Sequence, residues 1–149
     1  MHPLFLALIA FAAGAAIAAQ ASLNAQLGVL LRSPLLATAV AFFSSLIFTV
    51  IACAAMVKNL PSVETLKTVP YYLWFCGGLL STFGIATFYW LIPKMGMGPM
   101  LSYALAGQLI LAMLAGHFGW FQLLVIPIST LKIVGVFSLI LGIALINNG

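Results

Sequence analysis

The sequence predicts an all-α integral membrane protein, a bundle of about five transmembrane helices. Of its 149 residues, 65% are hydrophobic and only 4% are charged. A water-soluble domain carries roughly 25% charged residues because its surface faces water. Lipid is therefore expected to be the main solvent of this chain. Five apolar segments each have the roughly 20 residues that an α-helix needs to cross the hydrocarbon core.

Each predicted helix is an apolar run bounded by Pro, Gly or a charged residue. In chain order, the helices are predicted over residues 3–28, 35–57, 71–92, 97–118 and 129–146. The hydroxyls of Ser129 and Thr130 suit the N-cap of the last helix. Residues 59–70 are expected to form a short interfacial helix, and the apolar residues 120–128 are expected to lie among lipid headgroups. All of these elements belong to one predicted transmembrane domain, residues 1–149.

The composition argues against several other function classes. Five Lys and Arg residues are scattered without a basic run, so no nucleic-acid partner is expected. Cys53 and Cys76 lie inside apolar segments and lack the spacing of metal ligands. The sequence offers no nucleophile–base pair, carboxylate pair or Gly-rich phosphate loop. We therefore expect neither an enzyme nor a bound cofactor.

The charges on the loops leave the membrane orientation open. With five spans, one side of the membrane carries Lys58, Lys67 and Lys132, and the other carries Arg32 and Lys94. Positive charge on short loops normally orients a membrane protein, but a difference of one residue specifies a direction weakly. Two interpretations follow. The chain inserts with its N-terminus inside, or copies insert both ways and assemble as an antiparallel pair.

The polar groups deep inside the predicted spans are neutral. Gln20 and Asn24 are four residues apart and share one helix face. Facing lipid, each side-chain amide would cost several kcal/mol, so both must face another helix or a wet cavity. Two interpretations stay open, namely hydrogen bonding between helices and a polar pocket for a small solute. The candidate substrate-binding residues are Gln20, Asn24, Gln108, Trp74, Tyr89, Tyr103 and Ser44.

His117 is the candidate for proton coupling. It lies near the end of the fourth predicted helix, and an imidazole in water titrates near pH 6.5. The alternative is a histidine at headgroup level with no further role. The one acidic residue, Glu64, belongs to an interfacial segment and not to a span.

An ordered set of motifs resembles a known family. The segment QASLNAQLG at residues 20–28 is similar to the Q-x-x-x-N-A-x-L-G signature of YdcZ-type proteins in the drug/metabolite transporter superfamily. Further matches follow in order: Trp74, GGLL at 77–80, PKMG at 93–96, AGQL at 106–109 and HFGW at 117–120. The resemblance covers nearly the whole chain, and the ordered set is more specific than any single motif.

The resemblance implies a membrane transporter of the bacterial inner membrane. Members resemble one half of ten-helix transporters, and small relatives insert in both orientations. An antiparallel homodimer would recreate the inverted repeat used in alternating access. The family pattern often has an acidic residue where this chain has Gly116, which puts carboxylate-based coupling in doubt. The expected function is export of a small polar or weakly cationic organic metabolite. The alternatives are a dual-topology channel for ions or small solutes and a non-transporting accessory protein.

Overall fold

The described chain is built from helices, turns and loops. The computed structural model describes residues 2–122 and 124–148, with the backbone alone at Asn148. Within these residues there is no strand. The elements, in chain order, are α1 (Pro3–Leu30), α2 (Pro34–Met56), α3 (Val63–Thr68), α4 (Tyr71–Met95), α5 (Met97–Phe118), a 3-10 turn (Trp120–Gln122) and α6 (Thr130–Asn148). Five of these helices are long and apolar enough to cross a membrane, which confirms the predicted all-helical class.

The chain divides after Lys94 into two compact units. The first unit contains α1 to α4, and the second contains α5, the 3-10 turn and α6. The short helix α3 lies in the connection for which a short helix was predicted. The assignment of residues 1–149 to one transmembrane domain stays a prediction.

The first unit is organised around a close hairpin of α1 and α2. The side chain of Ser33 caps α2 by accepting a hydrogen bond from the N–H of Leu36 at 3.2 Å. The backbone turns at Arg32, which has a φ of 52°. A Cβ atom on Gly28 would lie 3.4 Å from the Cα of Pro34 and 3.5 Å from the Cβ of Ala37. Gly28 therefore lets the two helices approach closely at the turn.

Alanine side chains form the core of the first unit. Ala21 and Ala25 from α1 are buried together with Ala37 and Ala41 from α2. Small side chains bring helices into close van der Waals contact, which is a main source of helix association in lipid. Tyr89 from α4 is buried in the same cluster.

Helix α4 ends later than the sequence predicts. It runs through Pro93 to Met95, whereas the predicted helix ends at residue 92. Proline lacks an N–H and so removes one hydrogen bond from a helix. Near the end of the helix this loss affects few of the remaining residues. The helix ends instead before Gly96, whose φ of 84° lies in the region that favours glycine.

In the second unit, the segment before α6 folds back onto the end of α5. Gly119 ends α5 in the left-handed conformation, with a φ of 66°. The N–H of Ile126 then donates to the carbonyl oxygen of Gly116 at 2.8 Å. Ser129 accepts a hydrogen bond from the N–H of Lys132 at 3.4 Å, as expected of an N-cap residue.

Enlarging Gly28 is expected to destabilise the α1–α2 hairpin. The substitution Gly28→Leu places side-chain atoms where Pro34 and Ala37 already lie, and overpacking of this kind costs about 1–3 kcal/mol. Gly28→Ala should cost less, because its Cβ would lie at ordinary contact distance. The measurement is the thermal unfolding midpoint of the purified protein in detergent. Gly14→Leu is the matched control, since a Cβ on Gly14 has nothing within 4 Å. Equal midpoints for the two leucine variants would contradict the expectation.

Candidate functional site

Three polar side chains meet between α1 and α4 in the first unit. The Nε2 of Gln20 donates a hydrogen bond to the hydroxyl oxygen of Tyr89 at 2.7 Å. The Nδ2 of Asn24 donates to the same oxygen at 3.0 Å. We call Gln20, Asn24 and Tyr89 the polar cluster. It joins two helices that are distant in sequence through a single hydroxyl group.

The helical period of α1 places the two amides beside each other. Residues four apart lie on one face of a helix, so Gln20 and Asn24 stack along α1. The next residues on the helix, Ala21 and Ala25, are buried in the core of the first unit. The amides therefore stand at the edge of the face that packs in the core, and from there they reach the hydroxyl of Tyr89.

Exposure increases across the polar cluster from α4 to α1. Tyr89 is only 1% exposed. Asn24 is half-buried, and Gln20 is exposed on the surface of α1. The cluster thus has one end inside the protein and one end that a molecule outside the unit can reach.

The hydrogen bonds of the polar cluster leave further bonding capacity. A hydroxyl oxygen accepts up to two hydrogen bonds, and Gln20 and Asn24 fill both positions on Tyr89. The phenolic hydrogen, the second amide hydrogen of each side chain and both amide oxygens can bond to other partners. All three groups are neutral. The site can therefore donate and accept hydrogen bonds without a formal charge.

Two other candidate residues, Ser44 and Trp74, belong to the first unit. The hydroxyl of Ser44 donates to the carbonyl oxygen of Ala41 at 3.0 Å, so it is satisfied on its own helix. From Trp74 to Tyr89 the helix rises about 22 Å, at 1.5 Å per residue. Trp74 instead lines a cavity of about 480 Å³ with Leu66 and Lys67 of α3. The structure does not bring Trp74 to the polar cluster.

The remaining candidate residues belong to the second unit. Tyr103 and Gln108 lie on α5, and both are exposed. An exposed amide at the depth of Gln108 would be costly in hydrocarbon. Their assignment to a substrate pocket stays a prediction.

His117 holds the segment that leads into α6. Its Nδ1 accepts a hydrogen bond from the backbone N–H of Ile128 at 3.3 Å. A ring nitrogen accepts a hydrogen bond only when it carries no proton. The ring of His117 also packs edge-on against Phe118, with centroids 4.8 Å apart. The structural role of His117 is thus clear, and proton coupling through it stays a prediction.

Sequence reasoning named Tyr89 among the candidate substrate-binding residues and missed the role of its hydroxyl. A buried tyrosine hydroxyl usually needs a hydrogen-bond partner. That rule, applied to a tyrosine in the third predicted span, could have paired Tyr89 with the amides of α1. Choosing Tyr89 over Tyr103 required the structure. Among the residues that the structure describes, no group of three His, Cys, Asp or Glu side chains could hold a metal ion.

The fold and the site together define a multi-pass α-helical membrane protein with a neutral polar cluster between two of its helices. The family described as "Putative inner membrane exporter, YdcZ" matches residues 5–145. The chain belongs to this family, which confirms the resemblance, and it is a multi-pass protein of the bacterial inner membrane. The family's description is that of an exporter and not of an enzyme. Comparison with curated proteins and with solved structures finds no match.

Removing the hydroxyl of Tyr89 is expected to destabilise the first unit. In Tyr89→Phe the two amides of α1 lose their shared acceptor, and leaving a hydrogen-bonding group unsatisfied away from water costs about 1–3 kcal/mol. The thermal unfolding midpoint in detergent should fall. Tyr103→Phe, which changes a tyrosine that is 56% exposed, is the control and should keep the wild-type midpoint. The structural role assigned to the hydroxyl is wrong if both variants unfold at the same temperature.

Proposed function

We propose that this chain exports a small polar or weakly cationic organic metabolite by alternating access, as an inverted homodimer. The observation that carries the proposal is the polar cluster, above all Gln20, which is exposed on a membrane-spanning helix while bonded to buried Tyr89. An amide in contact with hydrocarbon costs several kcal/mol. Gln20 must therefore be covered by a partner helix or reached by water. A transport pathway between two copies would provide either environment.

The chemistry of the polar cluster favours a neutral or weakly cationic solute. The amide oxygens of Gln20 and Asn24 can accept hydrogen bonds from hydroxyl, amide or ammonium groups. The cluster itself contains no carboxylate to balance a strong cation and no basic group to bind an anion. Tyr89 adds an aromatic ring, which can contribute about 0.5–2 kcal/mol to binding a cation.

Two observations support an inverted homodimer. The positive charges on the loops are nearly balanced between the two sides of the membrane, and the chain belongs to the YdcZ family. A chain of five spans is half of a ten-helix inverted repeat, in which the substrate site lies between the repeats. The exposed amides Gln20 and Gln108 are polar surfaces at membrane depth that a second copy would cover. In this arrangement each copy contributes its own polar cluster to the transport pathway.

Transport into proteoliposomes tests the site. A panel of small cations and neutral metabolites is screened with and without a pH gradient, and the best solute is then used with two leucine variants. Asn24→Leu should weaken the apparent affinity by roughly tenfold, which corresponds to the loss of about 1.4 kcal/mol of binding. Gln26→Leu removes a matched amide from the same helix, outside the polar cluster, and should leave the affinity unchanged.

The same assay separates the alternatives. Unchanged affinity in Asn24→Leu would show that the polar cluster does not bind the solute. Flux without counterflow would indicate a channel. Folded protein that moves no solute of the panel would favour an accessory protein, in which the polar cluster only holds helices together.

Cysteine labelling tests the inverted arrangement. In a background with Cys53→Ala and Cys76→Ala, single cysteines replace Leu31 or Asn59, which the predicted topology places on opposite sides of the membrane. Both residues are exposed and uncharged, so the balance of loop charges is kept. Intact spheroplasts are treated with a membrane-impermeant maleimide. Dual insertion should give partial labelling at both positions, because each position faces outward in part of the copies. Complete labelling at one position and none at the other would establish a single orientation and exclude the inverted dimer.

A further inference from the structure

An open groove lies in the first unit between the beginning of α2 and the second half of α4. Its volume is about 660 Å³. On the side of α2 it is lined by Pro34 and Leu35, and on the side of α4 by Phe83, Ala86 and Trp90. Binding sites for small molecules usually have volumes of about 300–1,000 Å³. The groove is thus large enough for a ligand, and its walls are mainly apolar.

The two hydroxyl groups in this groove are already satisfied. Thr82 donates to the carbonyl oxygen of Gly78 at 2.9 Å, and Thr87 donates to that of Phe83 at 2.7 Å. A threonine hydroxyl that donates to a carbonyl oxygen of its own helix does not need a hydrogen bond from a ligand. The groove is therefore suited to a hydrocarbon chain and lacks the polar groups that would orient a polar solute.

Two basic residues lie at one end of the groove. The Nζ of Lys94 lies 3.6 Å from the centroid of the Trp90 ring, in a cation–π contact. Arg32 precedes Pro34 by two residues and is exposed. Trp rings and basic side chains at the ends of spanning helices are typical of the headgroup level of a membrane. Both cations are therefore expected at the headgroup level, next to the end of the groove that Pro34 and Trp90 line.

No acidic side chain lies near these cations along the helices that carry them. The chain's one acidic residue is Glu64, in α3. Glu64 precedes the start of α4, whereas Lys94 lies in its last turn, and this helix of 25 residues is about 37 Å long. Helix α2 separates Arg32 from the segment that leads to α3 and, with 23 residues, is about 34 Å long. No side chain at this end of the helices supplies a counter-charge for Arg32 and Lys94.

We propose that the groove binds one acyl chain of an anionic phospholipid, with the lipid phosphate held by Arg32 and Lys94. The guanidinium group of Arg32 can form two parallel hydrogen bonds to a phosphate, and the ammonium group of Lys94 adds a point charge. The acyl chain then covers Ala86 and the methyl groups of Thr82 and Thr87. This site goes beyond the proposed export function and does not depend on it.

Lipid titration followed by native mass spectrometry of the detergent-purified protein tests the headgroup contacts. The probes are phosphatidylglycerol and phosphatidylcholine with identical acyl chains, and the wild type should bind phosphatidylglycerol more tightly. Arg32→Gln and Lys94→Gln should each weaken phosphatidylglycerol binding about fivefold, since a basic residue near an anionic lipid contributes about 1 kcal/mol. Lys58→Gln, which removes a basic residue at the other end of α2, is the matched control and should change nothing.

Two substitutions in the groove test where the acyl chain lies. Ala86→Phe fills the groove and should weaken binding of both lipids, and Ala86→Leu gives a smaller enlargement if the phenylalanine variant does not fold. Thr87→Val keeps the shape of the side chain and should not alter binding, because the hydroxyl is bonded to its own helix.

Several results would overturn the proposal. Equal wild-type affinity for the two lipids would exclude headgroup recognition, and an equal loss in Lys58→Gln would indicate attraction to net charge alone. Unchanged binding in the folded Ala86 variants would show that the chain lies elsewhere. Weaker binding in Thr87→Val would indicate a polar ligand. If Arg32→Gln and Lys94→Gln abolish a dimer in the same spectra but leave lipid binding intact, a second copy supplies the counter-charge.

Discussion

The packing of the first unit depends on the hydrogen bonds of one hydroxyl group that is shielded from solvent, that of Tyr89. In hydrocarbon there is no water to replace a missing hydrogen bond, so polar groups must find partners inside the protein. The hydroxyl of Tyr89 finds two, the amides of Gln20 and Asn24, and these bonds connect α1 to α4. Because both donors lie on α1, the position of the tyrosine fixes which face of α1 points towards α4. The interaction that holds the helices together therefore also creates the polar cluster.

The small residues beside the polar cluster make this geometry attainable. Ala21 and Ala25 pack against Ala37 and Ala41, and Gly28 allows α1 and α2 to meet closely at their turn. Lipid tails are as apolar as leucine side chains, so close packing of backbones must replace the hydrophobic effect as a source of association. A rigid α1–α2 pair gives the amides of α1 a fixed position, which is the condition for selective hydrogen bonding to a solute.

Neutral and charged groups are separated along the helices. The polar cluster is neutral, whereas Arg32 and Lys94 lie at helix ends, beside an apolar groove. A charge at the centre of a bilayer is costly, and at the headgroup level it finds both water and lipid phosphates. The separation suits a protein in which a neutral site handles the solute and the basic ends interact with the surrounding lipid.

The sequence by itself determined the class, the number of spanning helices and the family. These properties follow from composition, from the length of apolar runs and from ordered motifs, and they do not require knowledge of contacts. The pairing of Gln20 with Asn24 also followed from sequence, because the helical period alone places them on one face.

Only the tertiary structure decided which aromatic residue joins the two amides. Tyr89, Tyr103 and Trp74 were equal candidates in sequence, since hydrophobic patterns do not say how one helix is rotated against another. The structure selects Tyr89 because, of these three residues, it is the one buried among the core alanines. The structure likewise shows that α4 continues past Pro93. A proline near the end of a helix removes a single hydrogen bond and can be accommodated. Contacts between residues distant in sequence depend on packing, and packing is decided only when the helices meet.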